Sequence, residues 1–153
     1  MTRKDLKDYK FNQEWIKGRL EYIEEYKTVL TNITTTLSDM PKGSRKVEDS
    51  IAEKIATILD NVNEIAEKVV AESEKQKLIL EQLNKVEQPY KLILEKHYIQ
   101  GKKLVTVASE MTYNYEYTKK ANQIALKKFE EIQNFPQKLL NDTIKIWYIY
   151  NWI

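Results

Sequence analysis

The chain has 153 residues, a formal net charge of +2 and no cysteine, so neither a disulfide framework nor thiolate chemistry is open to it. Only three glycines and three prolines interrupt it, and 31% of its residues are charged. That composition excludes a secreted disulfide scaffold and predicts an all-α protein, one domain or one small domain plus an extended element. The opening MTRKDLKDYKF is charged throughout and lacks the apolar centre of a secretory leader. No apolar run approaches the roughly 20 residues that a membrane helix needs.

Residues 1–87 read as two long helices. The first runs from residue 2 to about 36. Leu6, Tyr9, Gln13, Ile16, Leu20, Ile23, Lys27, Leu30, Thr34 and Leu37 step by threes and fours, which is the seam of a coiled coil. Phe11, Trp15, Tyr22, Tyr26 and Val29 widen it into a broader apolar face. Pro41 and Gly43 mark a break over about 37–46, a basic loop in which Ser44 is placed to cap the next helix. The second helix runs from about Val47 to Val86, with Ile51, Ile55, Ile58, Val62, Ile65 and Val69 in strict 4-3 steps and Ile79 and Leu83 resuming the seam. Neither stripe can be buried alone, so an antiparallel hairpin is the simplest arrangement. The stretch from Val70 to Leu83 is left over, as a dimer surface or as a dock for residues 88–132.

Residues 88–132 read as a compact three-helix unit. Pro89 suits a first helical turn. Leu92, Ile93, Tyr98 and Ile99 keep helical spacing until Gly101 ends it. A short helix comes next, over about Leu104–Met111, with Leu104, Val107, Ala108 and Met111 on one face. Thr112-Tyr113-Asn114 forms a turn; Asn114 suits a left-handed backbone and can cap the next helix. The last helix runs from about Tyr115 to Ile132. Its buried stripe is expected at Ala121, Ile124 or Ala125, the stem of Lys128, and Phe129. Thr118, Lys119, Asn122, Gln123 and Lys127 are expected on the opposite face. A helix with such a face fits the DNA major groove, its Asn, Gln and Lys side chains reaching base edges and its lysines neutralising phosphate. The same pattern also suits a three-helix packing unit with a solvated face.

After Gln133-Asn134-Phe135-Pro136 comes an aromatic segment, 133–153, with Trp147, Tyr148, Tyr150 and Trp152. Leu139, Leu140, Ile144, Trp147 and Tyr148 fit one face of a terminal helix; a strand over 144–153 is the alternative. Such residues mark contacts, either against the hairpin or with a partner.

Charge is unevenly spread. Residues 1–88 hold 15 basic against 17 acidic side chains, residues 89–135 hold 8 against 5, and residues 136–153 hold 2 against 1. The basic excess therefore lies where a phosphate contact would need it. An enzyme is not expected. The single histidine, His97, has no cysteine, glycine-rich loop or metal-ligand spacing beside it, so neither a cofactor nor a metal is expected.

The stretch Tyr90–Tyr98 (YKLILEKHY), Val107-Ala108, the turn Met111-Thr112-Tyr113 and Ala125-Leu126 resemble region 4 of bacterial sigma factors. With Thr36–Ser44 (TLSDMPKGS) and the helix from Glu48-Asp49 to Ile65, the chain resembles small phage and prophage proteins. These carry a sigma-region-4-like C-terminal half of unknown function and are related to phage late-transcription regulators. The chain departs from that pattern at Thr106, at Asn114 and over Tyr117–Lys119, which lacks an arginine. The resemblance implies a helix-turn-helix that binds double-stranded DNA beside RNA polymerase in the cytoplasm of a bacterial host, as an activator or accessory factor. Tyr115, Tyr117, Thr118, Lys119, Asn122 and Gln123 are then the base-facing candidates. Lys102, Lys103, Lys120 and Lys127 are the phosphate-facing ones. A protein-interaction module, binding through the hairpin and aromatic tail without touching DNA, is the alternative, and a homodimer is a further expectation.

Overall fold

The computed structural model describes residues 1–39, 45–134 and 147, and among these it is all-α. Helix α1 spans Arg3–Asp39 and α2 spans Arg45–Asn84. Helix α3 (Tyr90–Leu94) runs on as a π-helical turn over Glu95–Ile99, and after it come α4 (Leu104–Glu110) and α5 (Tyr115–Asn134). The long helices thus continue further into the expected loop than its limits of 37 and 46, and Pro41 and Gly43 lie outside the described residues. So does the expected terminal helix apart from Trp147, which is helical and exposed.

The chain divides into two compact units. One joins Met1–Phe11 to the described residues from Lys75 on; the other is Asn12–Glu74. The first therefore extends beyond residues 88–132 and takes in the N-terminal turns of α1 and the last turns of α2.

That first unit has a closed core. Leu6 and Tyr9 of α1, Ile79 and Leu83 of α2, Val86, Leu94, and Ala125, Leu126 and Phe129 of α5 are all buried in one cluster. Ile79 and Leu83, which the heptad pattern left without a partner, are covered by α5 and the start of α1. A second cluster, Ile93, Val107 and Ala121, with Tyr90 and Met111 against it, ties α3, α4 and α5 together. Polar groups close the edges. Gln82, buried at the centre, donates to the carbonyls of Phe129 (2.6 Å) and Met1 (3.2 Å). Gln76 donates to the Tyr9 carbonyl as Gln82 does to that of Met1, so α1 and α2 run in opposite senses here, and Lys75 pairs with Asp5 at 3.0 Å. Arg3 closes the N-terminus onto α5: its backbone N–H (3.0 Å) and Nε (2.7 Å) reach Glu130 Oε1, and its Nη2 reaches Oε2 (2.9 Å). These bonds hold the Glu130 carboxyl down to about 2. The Thr2 backbone N–H, with Lys75, holds Asp5 equally low, at about 2.

Two turns use a left-handed residue. The π-helical turn ends at Gly101 (φ +74°), and the Lys102 N–H returns to the Lys96 carbonyl at 3.0 Å. The left-handed backbone is what favours glycine there; a Cβ would meet only the flexible Lys10 side chain, 3.0 Å from its Cε. The expectation at Gly101 therefore holds, but the one at the next turn is corrected. The left-handed residue is Thr112 (φ 56°), not Asn114. The Tyr113 N–H bonds the Ala108 carbonyl (2.9 Å) and the Thr112 N–H bonds that of Ser109 (3.2 Å), a Schellman closure with threonine in the usual glycine position. Asn114 instead caps α5, its Oδ1 accepting from the Glu116 N–H at 2.7 Å.

The second unit is built differently. Among its described residues only Val69 is buried. On α2 the expected seam holds its rotation: Ile51, Ile55, Ile58, Val62 and Ile65 are all half-buried. On α1 the seam is rotated from the expected one. Ile16, Ile23, Leu30 and Leu37 are half-buried as anticipated, but Gln13, Leu20, Lys27 and Thr34 are exposed, and Asn12, Arg19, Tyr26 and Ile33 take their place. Composition accounts for two of these exchanges, since Lys27 and Thr34 would lose hydration in the seam while Tyr26 and Ile33 gain by burial; Arg19 takes the place of Leu20 with its guanidinium against two aromatic rings. Trp15, Arg19 and Tyr26 of α1 line a cleft of about 510 Å³ with Asn61, Glu64, Ile65 and Lys68 of α2. The Arg19 guanidinium lies 5.4 Å from the Trp15 ring and 5.5 Å from that of Tyr22.

Candidate nucleic-acid interface

The candidate residues lie on α4, the turn after it, and α5. Packing decides which of them face solvent. Thr118, Ala121, Asn122, Ala125, Leu126 and Phe129 are buried, at steps of three, one, three, one and three, so this is the inner face of α5. Two expectations are corrected by it. Thr118 and Asn122 are not on the outer face. Thr118 is fully buried because its hydroxyl donates back to the Asn114 carbonyl at 3.0 Å, which removes its need for water. Asn122 is buried because its Nδ2 donates to the Tyr98 hydroxyl at 3.1 Å, while its Oδ1 has no partner. The expected inner stripe holds through the second of its two alternatives, Ala125, which is buried while Ile124 is 46% exposed; Leu126 joins it as an unexpected member.

The outer face of α5 carries Lys120, Gln123 and Lys127 at steps of three and four, opposite Ala125 and Phe129. Tyr117 and Ile124 run beside them on the same side. Tyr115, Tyr117 and Lys119 are exposed as expected. The Lys119 ammonium pairs with Glu116 at 2.8 Å and sits 4.9 Å from the Tyr115 ring centre, and both contacts raise its affinity for a proton, Glu116 foremost. Tyr113, expected only as part of the turn, belongs to this surface. It is exposed and meets Tyr117 edge-on, with ring centres 5.2 Å apart. The i, i+4 spacing of the two tyrosines was the available signal.

The four phosphate-facing candidates divide. Lys103, Lys120 and Lys127 are exposed, with no ion pair among the described residues. Lys102 is half-buried and pairs with Glu110 at 2.7 Å, and Lys96 meets the same carboxylate at 2.7 Å. The pair holds the Glu110 carboxyl below its usual range, Lys102 contributing most. Lys102 thus differs from the other three candidates in sharing its charge with Glu110, a partly exposed pair that ties the segment after the π-helical turn to α4. His97 is structural too, since its Nδ1–H donates to the Lys102 carbonyl at 2.6 Å. Among the described residues no group of three or more acidic, histidine or cysteine side chains could hold a metal ion, and no helix is long and apolar enough to cross a membrane.

Comparison with protein-family models, with curated proteins and with solved structures finds no match for this chain.

Proposed function

We propose that the protein is a DNA-binding accessory factor of transcription. It uses α4 and α5 as a helix-turn-helix and works beside RNA polymerase in a bacterial cytoplasm, as a binding protein and not an enzyme. The observation that carries this reading is the outer face of α5. Lys120, Gln123 and Lys127 succeed one another there, with Lys103 exposed at the head of α4, and these lysines are uncompensated by acidic partners among the described residues. The basic excess of residues 89–135 and the resemblance to sigma region 4 support it. Fluorescence anisotropy of a labelled duplex at two salt concentrations tests it. Micromolar binding that weakens steeply with salt is expected. The Lys120→Ala/Lys127→Ala double variant lowers the slope of log affinity against log salt by about 2. The Lys46→Ala/Lys54→Ala variant of α2 leaves it unchanged. If the parent does not bind at low salt, the reading fails.

A second reading rests on the other unit. Trp15, Tyr22 and Val29 are exposed along α1 of a two-helix unit that buries little, which suits a surface for a protein partner or a second copy. A pull-down of RNA polymerase by the full chain, lost on Trp15→Ala/Tyr22→Ala, favours it; sedimentation as a clean monomer with no polymerase bound removes it.

A further inference from the structure

The burial of Thr118 and Asn122 changes the chemistry of the α5 surface, and with it the ligand that fits. Duplex readout in the major groove depends on Asn, Gln, Arg and Lys reaching base edges. With Thr118 and Asn122 turned inward, Gln123 is the one amide left among the six base-facing candidates. What faces solvent instead is aromatic. Tyr113, Tyr115 and Tyr117 are 37, 42 and 48% exposed, on alternate residues across the turn and the first turn of α5. None of these three hydroxyls is tied to the protein by a hydrogen bond among the described residues, and the rings are braced by contact, Tyr113 against Tyr117 and Tyr115 beneath Lys119. Tyr117, with Tyr113 against it, shares the side of α5 that Lys120 and Lys127 continue, while Tyr115, two residues before Tyr117, stands on another side beside Lys119. Exposed rings beside a row of lysines are the combination that holds single strands, with bases stacking on the rings and ammonium groups tracking the phosphates.

We infer that this surface binds nucleic acid with unpaired bases in preference to a closed duplex, Tyr113 and Tyr117 serving as the stacking platform. The inference rests on the nucleic-acid reading of α4 and α5 and adds the strand state of the ligand. Sequence preference is weak, since every base offers a ring face and Gln123 alone is placed to read an edge. The lysines act on both strand states, while the tyrosines act only where a base is free to leave its stack.

The test is anisotropy titration of the full chain with four labelled probes of one sequence: single-stranded DNA, the same strand as RNA, the paired duplex, and a duplex with an unpaired centre. The single strands and the opened duplex are expected to bind about tenfold tighter than the paired duplex. Tyr117→Ala removes most of that preference and Tyr117→Phe keeps it, because the ring and not the hydroxyl is used. Lys120→Ala/Lys127→Ala weakens all four probes together. The DNA and RNA arms tell which strand is the ligand. Equal or tighter binding of the paired duplex overturns the inference while leaving DNA recognition standing. So does a Tyr117→Ala variant that keeps the parent's preference. No binding by any probe overturns both.

Discussion

The two units of this chain are assembled from the same long helices and the same repeating isoleucines and leucines, yet they close to different degrees. In the unit of Met1–Phe11 and the residues from Lys75 on, Leu6, Ile79, Leu83, Leu126 and Phe129 are buried to 1% exposure or less. In Asn12–Glu74 the seam is half-covered and Val69 alone is buried among the described residues. The difference lies in how many elements contribute. A seam between two helices always leaves the flanks of each side chain in water, whereas α5 and the π-helical segment close the ends of α1 and α2 from further directions. A heptad pattern therefore reports that a helix has a partner, but not how much of each side chain the partner covers.

The largest effect that separates the units comes from their cores. Phe129→Ala removes a fully buried ring and should cost about 4 kcal/mol in urea unfolding. Ile58→Ala, in the half-covered seam, should cost about 1 kcal/mol. Equal losses would break the comparison. A smaller effect is expected at Gly101→Ala, about 1–2 kcal/mol, from the left-handed backbone. Thr112→Gly should act in the opposite direction and stabilise by about 1 kcal/mol, since a β-branched residue in that conformation is strained.

Acid sharpens the contrast further. Glu130 and Asp5 both have folded values held down to about 2, from ordinary values of 4.5 and 3.8. A depressed carboxyl contributes stability that is present above its ordinary value and lost as pH falls from there towards about 2. Both groups lie in the closed unit, so hydrogen exchange should show α5 and the first turns of α1 losing protection across that window. Arg3→Ala should remove most of the Glu130 share. No change in α5 protection between pH 5 and pH 3 would contradict the assignment.

Much of the fold is legible in the residues, for identifiable reasons. From Ile51 to Val69 the α2 seam is written in β-branched positions with no polar competitor, and the structure keeps its rotation. Gly101 is legible because a glycine after a helical apolar run has one common use. The α1 seam is less so, since its 4-3 steps fit two rotations: Lys27 and Thr34 against Tyr26 and Ile33 favour the one observed, while Leu20 against Arg19 argues for the other. In the candidate site, residue type misleads where a polar side chain finds a local partner. Thr118 and Asn122 look like surface residues by type, but inside the unit Asn114 accepts from the Thr118 hydroxyl and Tyr98 from the Asn122 amide nitrogen. Thr112 could not be anticipated at a left-handed position, because its β-branch argues against it.

The central claim is that nucleic acid meets the outer face of α5. Chemical-shift mapping of the amide-labelled protein with a short oligonucleotide tests it most directly. The largest shifts are predicted to fall on Tyr113, Tyr117, Lys120, Gln123 and Lys127, with Lys103 close behind, while Trp15 to Val29 and the α2 seam stay still. Shifts concentrated on Asn12–Glu74, or none anywhere at saturating oligonucleotide, would contradict it.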